Sequence, residues 1–275
     1  MVAVHLGRFL NNRKVLTVIA MKRVRLAAVI SSMVFAGASW AAGAAPGASM
    51  AAGKACETQN SKQCQDSQTP QSVLSRLQAG NKRFVKDTTV QRNLRVQAHE
   101  TAPGQYPLAS VVSCFDSRIP PEIVFDQGIG DIFIARNAGN VISDDVLGSL
   151  EFGSKAAGAK LIVVLGHTQC GAIKGACDNV ELGNLTGLLA KIKPAISKIP
   201  DDGKDRSSKN YAFVDMVGEQ NVRLGVQTIR DKSPILKEME DKGQIMIVGA
   251  MYDLKTGKVN FYDVPDSTTV KLKKI

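Results

Sequence analysis

Beyond residue 107 the chain alternates between two hydrophobic patterns. Leu108–Ser113, Asp131–Ala135, Lys160–Leu165 and Gln244–Ala250 are short runs rich in Val or Ile. Runs of this length that do not alternate with polar residues predict strands buried on both faces. Val259–Tyr262 predicts an additional edge strand. Between the second and third runs, Ser143-Asp144-Asp145 has the form of a helix start. Val146, Leu147, Leu150 and Phe152 follow it at helical spacing. Leu185, Leu188, Leu189, Ile192 and Ile196 predict a helix over 184–199, and a long helix is expected over 210–230. Nearer the start, Ser72 is placed to cap a helix carrying Val73, Leu74, Leu77 and Phe84. Residues 88–107 are polar and interrupted by Pro103, Gly104 and Pro107. Strands alternating with helices predict an α/β fold, a mostly parallel central sheet flanked by helices. A single domain over 70–275 accommodates the pattern, and no internal repeat is present.

The first 69 residues have a different character. Met21-Lys22-Arg23-Val24-Arg25 is a positive segment, Leu26–Trp40 is uncharged and mostly apolar, and small residues follow. This is the order of a secretory signal, with Ser39-Trp40-Ala41 and Ala42-Gly43-Ala44 as candidate cleavage sites. A membrane anchor is the competing reading, but the apolar run is about 15 residues against roughly 20 for a spanning helix. The expectation is therefore a leader over 1–41, with residues 1–20 lying upstream of a second candidate start at Met21. Export to the periplasm or medium follows, with no lasting membrane anchor. Residues 42–69, rich in Ala, Gly, Ser and Gln, are expected to be a flexible linker. Cys56 and Cys64 lie close together there, either paired in an oxidising compartment or as two solvated thiols.

The leader also changes the meaning of the charge. The chain has 35 Lys and Arg against 25 Asp and Glu, a net charge of +10. Residues 1–41 hold six bases and no acid, so the remainder carries 29 bases, 25 acids and a net +4. That excess does not support a polyanion partner, and no nucleic acid is expected. A hydrophobic share of 44% and a charged share of 22% are ordinary for a folded domain.

The candidate chemistry lies at predicted strand ends. Of three histidines, His5 falls in the leader and His99 in the polar segment, while His167 directly follows a strand and Gly166. Cys170 stands three residues on, and Cys114 closes another predicted strand. Open parallel sheets bind ligands at the carboxyl ends of their strands. Two thiolates and one imidazole form a catalytic zinc set with a free fourth position. One His-x-x-Cys step is weak evidence alone, because a cysteine after a buried strand commonly only packs. Cys114-Phe115-Asp116-Ser117-Arg118 strengthens it: sulfur, carboxylate and guanidinium occupy alternate positions, which share a face in extended chain. Arg118 is then able to bind Asp116 through two hydrogen bonds. Cys177 reads as a small buried residue and His99 as solvated.

These residues resemble the β-class carbonic anhydrase family. The resemblance rests on Cys114-Phe115-Asp116-Ser117-Arg118 together with Gly166-His167-Thr168-Gln169-Cys170-Gly171. Asp126–Phe133, Arg136–Asn140, Leu77–Phe84 and Val248–Asp253 are also similar to family segments, so it covers about 70–265. It implies a zinc lyase that hydrates carbon dioxide reversibly to bicarbonate and a proton, by attack of zinc-bound hydroxide. The Zn2+ ligands would be Cys114, His167 and Cys170. Asp116 would orient the nucleophile, or bind zinc as a fourth ligand in a closed state, and Arg118 would hold Asp116. Gln127 would donate to bicarbonate across a dimer interface, and the backbone N–H near Gly171 would polarise a substrate oxygen. A homodimer or tetramer is implied, with N-terminal helices packing on the partner. The family's noncatalytic bicarbonate pocket uses a Trp, an Arg and a Tyr. Arg136 and Tyr252 match two of these positions and Val111 replaces the Trp, so the open form is expected near neutral pH. The family usually has a small polar residue where Phe115 stands, and Phe115 is expected to point into the opposite packing layer. Alternatives on the same scaffold are a carbonyl sulfide or carbon disulfide hydrolase and a noncatalytic zinc or bicarbonate binder.

Overall fold

Five strands form one sheet in the order β2-β1-β3-β4-β5. They are β1 Ala109–Cys114, β2 Ile132–Asn137, β3 Leu161–His167, β4 Met246–Tyr252 and β5 Val259–Tyr262. The first four run parallel, and β5 pairs antiparallel with β4 at one edge. This computed structural model describes residues 61–262. The expected leader, most of the expected linker and Cys56 lie outside the described residues, as do residues 263–275. All described residues belong to one compact unit.

The uninterrupted apolar runs are explained by two packing layers. Every residue of β1 and β3 is buried. Val111, Val163, Leu165 and Val248 face one cluster, with Leu74, Leu77 and Phe125. Val112, Ile162, Val164 and Ile247 face the other, with Val222, Val226 and Ile229. Successive residues on a strand point to opposite faces, so a strand covered on both sides has no polar phase. Fully burying one such side chain contributes about 1.5–3 kcal/mol.

Helices supply the two layers. In chain order they are α1 Lys62–Ser67, α2 Pro70–Val85, α3 Leu94–Glu100, α4 Pro121–Val124, α5 Asp144–Glu151 and α6 Gly171–Cys177. Then come α7 Gly183–Ala190, α8 Lys193–Lys198, α9 Tyr211–Lys232 and α10 Pro234–Asp241. The predicted starts hold for α5, capped by Ser143, and for α9, capped by Asn210. On α2 the cap is Thr69, and Ser72 is its reciprocal partner in a capping box.

Three further expectations change. The linker ends earlier than residue 69, because Ser61 caps α1 and Gln65 is buried, donating to the Pro107 and Ala157 carbonyls. The helix expected over 184–199 is two, α7 and α8, with Pro194 in the first turn of α8. Proline has no N–H to bond back into α7, so the helix restarts there. Residues 94–100, in the polar segment, are helical, with Asn93 as cap, and His99 lies exposed on α3.

The N-terminal helices are fastened to the sheet at two points. A Cβ built on Gly80 of α2 would lie 1.8 Å from the Phe125 carbonyl oxygen, so only glycine permits this approach to the end of α4. Next to it, Asp126 is buried with φ +49°. Its carboxylate accepts from Arg83, Arg92 and the Val90 N–H. Burial alone would raise the Asp126 pKa, but these donors outweigh it and hold the carboxyl below its ordinary value. A depressed folded pKa gives stability that is present above the unfolded value and lost as pH falls through the folded one. Asp126→Asn is therefore expected to cost about 2 kcal/mol at neutral pH. The gap to wild type in urea midpoint should close as the pH drops below about 3.9. A gap that stays constant down to pH 3 would show that the charge is not what fastens these elements.

Candidate metal centre

Cys114 is the last residue of β1 and His167 the last of β3. These strands are parallel neighbours, so both side chains emerge at the same edge of the sheet. From β1 the chain moves outward to β2 on one side, and β3 continues to β4 on the other. The β1–β3 boundary is thus a topological switch point, where crevices form outside the strand ends. Cys170, the N-cap of α6, turns back toward the same place. The three ligand atoms lie within 4.8 Å of one another, and all three residues are buried.

Local hydrogen bonds prepare each group. His167 Nδ1 lies 2.9 Å from the Thr168 carbonyl, which only accepts, so Nδ1 carries the proton. The other ring nitrogen, Nε2, is buried and without a hydrogen-bond partner. The Gly139 N–H donates to Cys114 Sγ at 3.2 Å. Gly139 has φ +73°, a left-handed conformation that favours glycine, and a Cβ there would displace the tip of Ile192, 2.7 Å away. Backbone N–H groups of Ile173 and Ala172 favour the thiolate of Cys170.

The geometry fits zinc. Two sulfurs bound tetrahedrally at about 2.3 Å lie roughly 3.8 Å apart. Here the two Sγ atoms are 3.7 Å apart. The contact with Cys170 pulls the Cys114 pKa down, whereas the same contact and burial push Cys170 up. With a zinc ion held by these three residues, a fourth position would remain for substrate chemistry.

Asp116 borders that position, with Oδ2 3.7 Å from His167 Nε2. Arg118 grips it through Nε to Oδ1 at 2.9 Å and Nη2 to Oδ2 at 2.7 Å. The Arg118 N–H also donates to Oδ1 at 3.0 Å. The pairing arises in a turn rather than in the extended chain that alternate spacing suggested. The Arg118 side-chain hydrogen bonds hold the Asp116 carboxyl well below the usual carboxylate range, against a smaller opposing effect of burial. Arg136, from β2, donates through Nε to the Cys114 carbonyl at 3.1 Å and through Nη2 to the Asp116 carbonyl.

Phe115 corrects an expectation. It is 76% exposed rather than packed in the opposite layer. Its N–H makes a last bond to the Asn137 carbonyl, and the chain then leaves the sheet for the turn. Beyond the strand end no layer remains to cover it.

The other predicted residues are spread around this core. Gly171 is exposed at the start of α6, and a Cβ built there meets nothing within 4 Å. Gln127 is buried at the α4–β2 corner, where Nε2 donates to the Phe125 and Asp126 carbonyls and Oε1 accepts from Arg76. Its amide is therefore bonded within its own corner. Val111 is fully buried, and Tyr252 ends β4 opposite His167. Cys177 packs against the core, where burial pushes its thiol up to about 11. The Gly139 N–H donor went unforeseen, since a backbone donor has no side-chain signature. Its one sequence trace is a glycine between Ala138 and Asn140.

Comparison with known proteins places the chain in a family. The carbonic anhydrase family model matches residues 109–259. Carbonic anhydrase 2 of Mycobacterium tuberculosis is 34% identical over 200 residues, covering 70% of this chain and 93% of the relative. The carbonic anhydrase of Mycolicibacterium smegmatis is 33% identical over 196 residues, covering 69% and 92%. Among solved structures, a Coccomyxa β-carbonic anhydrase in complex with acetazolamide superposes with a TM-score of 0.53 at 25% identity, covering 68% of this chain and 85% of that one. A β-carbonic anhydrase of Aspergillus fumigatus shares the fold, with a TM-score of 0.54 at 24% identity over 72% of this chain and 92% of that one. With its strand-end Cys–His–Cys cluster and the Asp–Arg pair beside it, the chain belongs to the carbonic anhydrase family and is a β-class enzyme, a carbonate dehydratase.

Proposed function

We propose that the chain holds zinc through Cys114, His167 and Cys170 and uses it to hydrate carbon dioxide reversibly. The observation that carries this reading is the match between the 3.7 Å sulfur pair, the buried and unpartnered His167 Nε2 and a tetrahedral zinc set. Zinc, when bound, supplies a Lewis acid that acidifies water at neutral pH. The protein's own groups do the rest. Asp116, kept ionised by Arg118, accepts the hydrogen bond of the attacking oxygen and aims its lone pair at the carbon of carbon dioxide. Arg136 fixes the backbone on both sides of Phe115, so that Asp116 and Cys114 keep one relative position. A backbone N–H near Gly171, at the start of α6, would polarise a substrate oxygen. A bicarbonate contact from Gln127 would require its amide to leave the Phe125 and Asp126 carbonyls.

Metal analysis with a stopped-flow hydration assay tests this. Purified protein should carry about one zinc per chain, and Cys114→Ser should lose it. Asp116→Asn should retain zinc while hydration falls by about a hundredfold or more. Zinc-free wild type, or zinc-loaded wild type that hydrolyses carbonyl sulfide but leaves carbon dioxide untouched, would defeat the proposal.

The assembly we infer is a dimer or tetramer. β-Carbonic anhydrases of Sordaria macrospora that share this fold are described as tetrameric. In this chain β2 occupies a sheet edge, and Leu94, Val96, Ile123 and Ile129 are exposed. Sedimentation equilibrium should give two or four chains per particle, and a monomer would refute it.

Export is inferred from the Met21–Ala44 pattern, and a disulfide at Cys64 supports an oxidising destination. Among the described residues no helix is long and apolar enough to cross a membrane. N-terminal sequencing of protein from a periplasmic or culture fraction should begin at Ala42 or Ala45, the residues that follow the two candidate cleavage sites. An intact Met1 or Met21 on cytoplasmic protein would overturn it.

A further inference from the structure

The longest helix among the described residues, α9, contributes no ligand to the cluster, yet two of its side chains reach both backbone loops that shape it. Asp215 Oδ1 accepts from the Gln169 N–H at 2.7 Å. Gln169 stands between His167 and Cys170 and has φ +54°, a left-handed conformation that non-glycine residues rarely adopt. Its N–H therefore finds its partner in a side chain from another element. Asn221 Nδ2 donates to the Gly139 carbonyl at 2.8 Å, and this bond is buried. Gly139 is the residue whose N–H donates to Cys114 Sγ. Fixing its carbonyl fixes the rotation about its own backbone, and so helps aim that N–H.

Helical geometry explains why one helix serves both loops. Successive residues turn by about 100°, so Asp215 and Asn221 lie about 60° to either side of Gly218. At Gly218 a built Cβ would be 3.9 Å from the His167 carbonyl oxygen. This face of α9 thus rests on the end of β3, with one polar side chain reaching the loop beyond it and the other reaching the loop beyond β2. The two anchors are about 9 Å apart along the helix axis.

From this geometry we infer that Asp215 and Asn221 are positioning residues, which preorganise the Gln169 and Gly139 loops so that Cys114, His167 and Cys170 meet a metal ion without rearrangement. The inference rests on the zinc reading above. Groups behind metal ligands commonly change metal affinity by about 10–100-fold when removed. A purely architectural role predicts something else: the fold weakens, and affinity changes only as far as the folded fraction does.

The test uses the full chain and compares Asp215→Ala, Asp215→Asn and Asn221→Ala with wild type. Three quantities are read: the zinc Kd by competition with a chelator, the thermal midpoint of the metal-free protein, and the thiolate-to-metal charge-transfer band of the cobalt(II)-substituted protein. Asp215→Ala and Asn221→Ala should raise the zinc Kd by about 10–100-fold and alter the cobalt band, with little change in the metal-free midpoint. Asp215→Asn keeps an oxygen acceptor for the Gln169 N–H and should restore near-wild-type affinity. Asp215 is only half-buried, so its two variants decide the question even if Asn221→Ala fails to fold. Unchanged zinc affinity in Asp215→Ala, or a loss that follows a fall in the metal-free midpoint and is not rescued by Asp215→Asn, would overturn the inference while leaving the zinc reading intact. Wild type that binds no zinc would overturn both.

Discussion

Two cysteine sulfurs 3.7 Å apart in a buried place cannot both carry full negative charge unless a cation lies between them. The protein shows the strain of that arrangement in its protonation: Cys114 is driven toward the thiolate by the Cys170 contact, and Cys170 is held back by the same contact and by burial. A divalent ion reverses the sign of the problem, because each thiolate then faces a charge larger than its neighbour's. Metal binding at such a site releases protons and is linked to the folded arrangement of its ligands. The N–H groups of Gly139, Ala172 and Ile173 contribute without adding net charge.

Much of the fold follows from bringing those sulfurs together. Cys114 and His167 converge because β1 and β3 are adjacent and parallel, and parallel neighbours end at the same edge. Adjacent parallel strands need crossovers, and the crossovers cover both faces of the sheet. That double coverage made the strands legible in the sequence: Leu108–Ser113 and Lys160–Leu165 have no polar phase because neither face of β1 or β3 meets solvent. What the sequence concealed were elements held by contacts rather than by pattern. The helix α1 sits in a stretch of linker-like composition, and its Gln65 is buried against carbonyls 42 and 92 residues away. The helix α3 has mostly exposed residues and shows no clear apolar stripe. The break between α7 and α8 was written in Pro194, but the regular spacing of Leu188, Ile192 and Ile196 masked it.

The site divides along the same line. Cys114, His167 and Cys170 were legible because their chemistry is rare and their places at strand ends meaningful, and Asp116 and Arg118 because they interleave with Cys114. Phe115 was misplaced because strand alternation was carried one residue beyond the strand. The network of Gly139, Gln169, Asp215 and Asn221 could not be read at all. Its bonds run from backbone groups to side chains 46 and 82 residues away, and no local spacing encodes them.

The two arginines beside Asp116 show how the site separates rigidity from adjustment. Arg136 bonds only backbone carbonyls, of Cys114 and Asp116, so it fixes where the segment lies and is indifferent to which way the Asp116 carboxylate points. Arg118 bonds that carboxylate and is itself largely exposed, with 54% of its side chain open to solvent. The carboxylate stands 3.7 Å from His167 Nε2, so a rotation about its own side-chain bonds, without movement of the backbone, would carry it from the arginine toward the Cys–His–Cys cluster. Backbone placement and carboxylate orientation are therefore controlled by different residues. The first is built into β2, and the second depends on a surface guanidinium whose hold water and ions are able to contest.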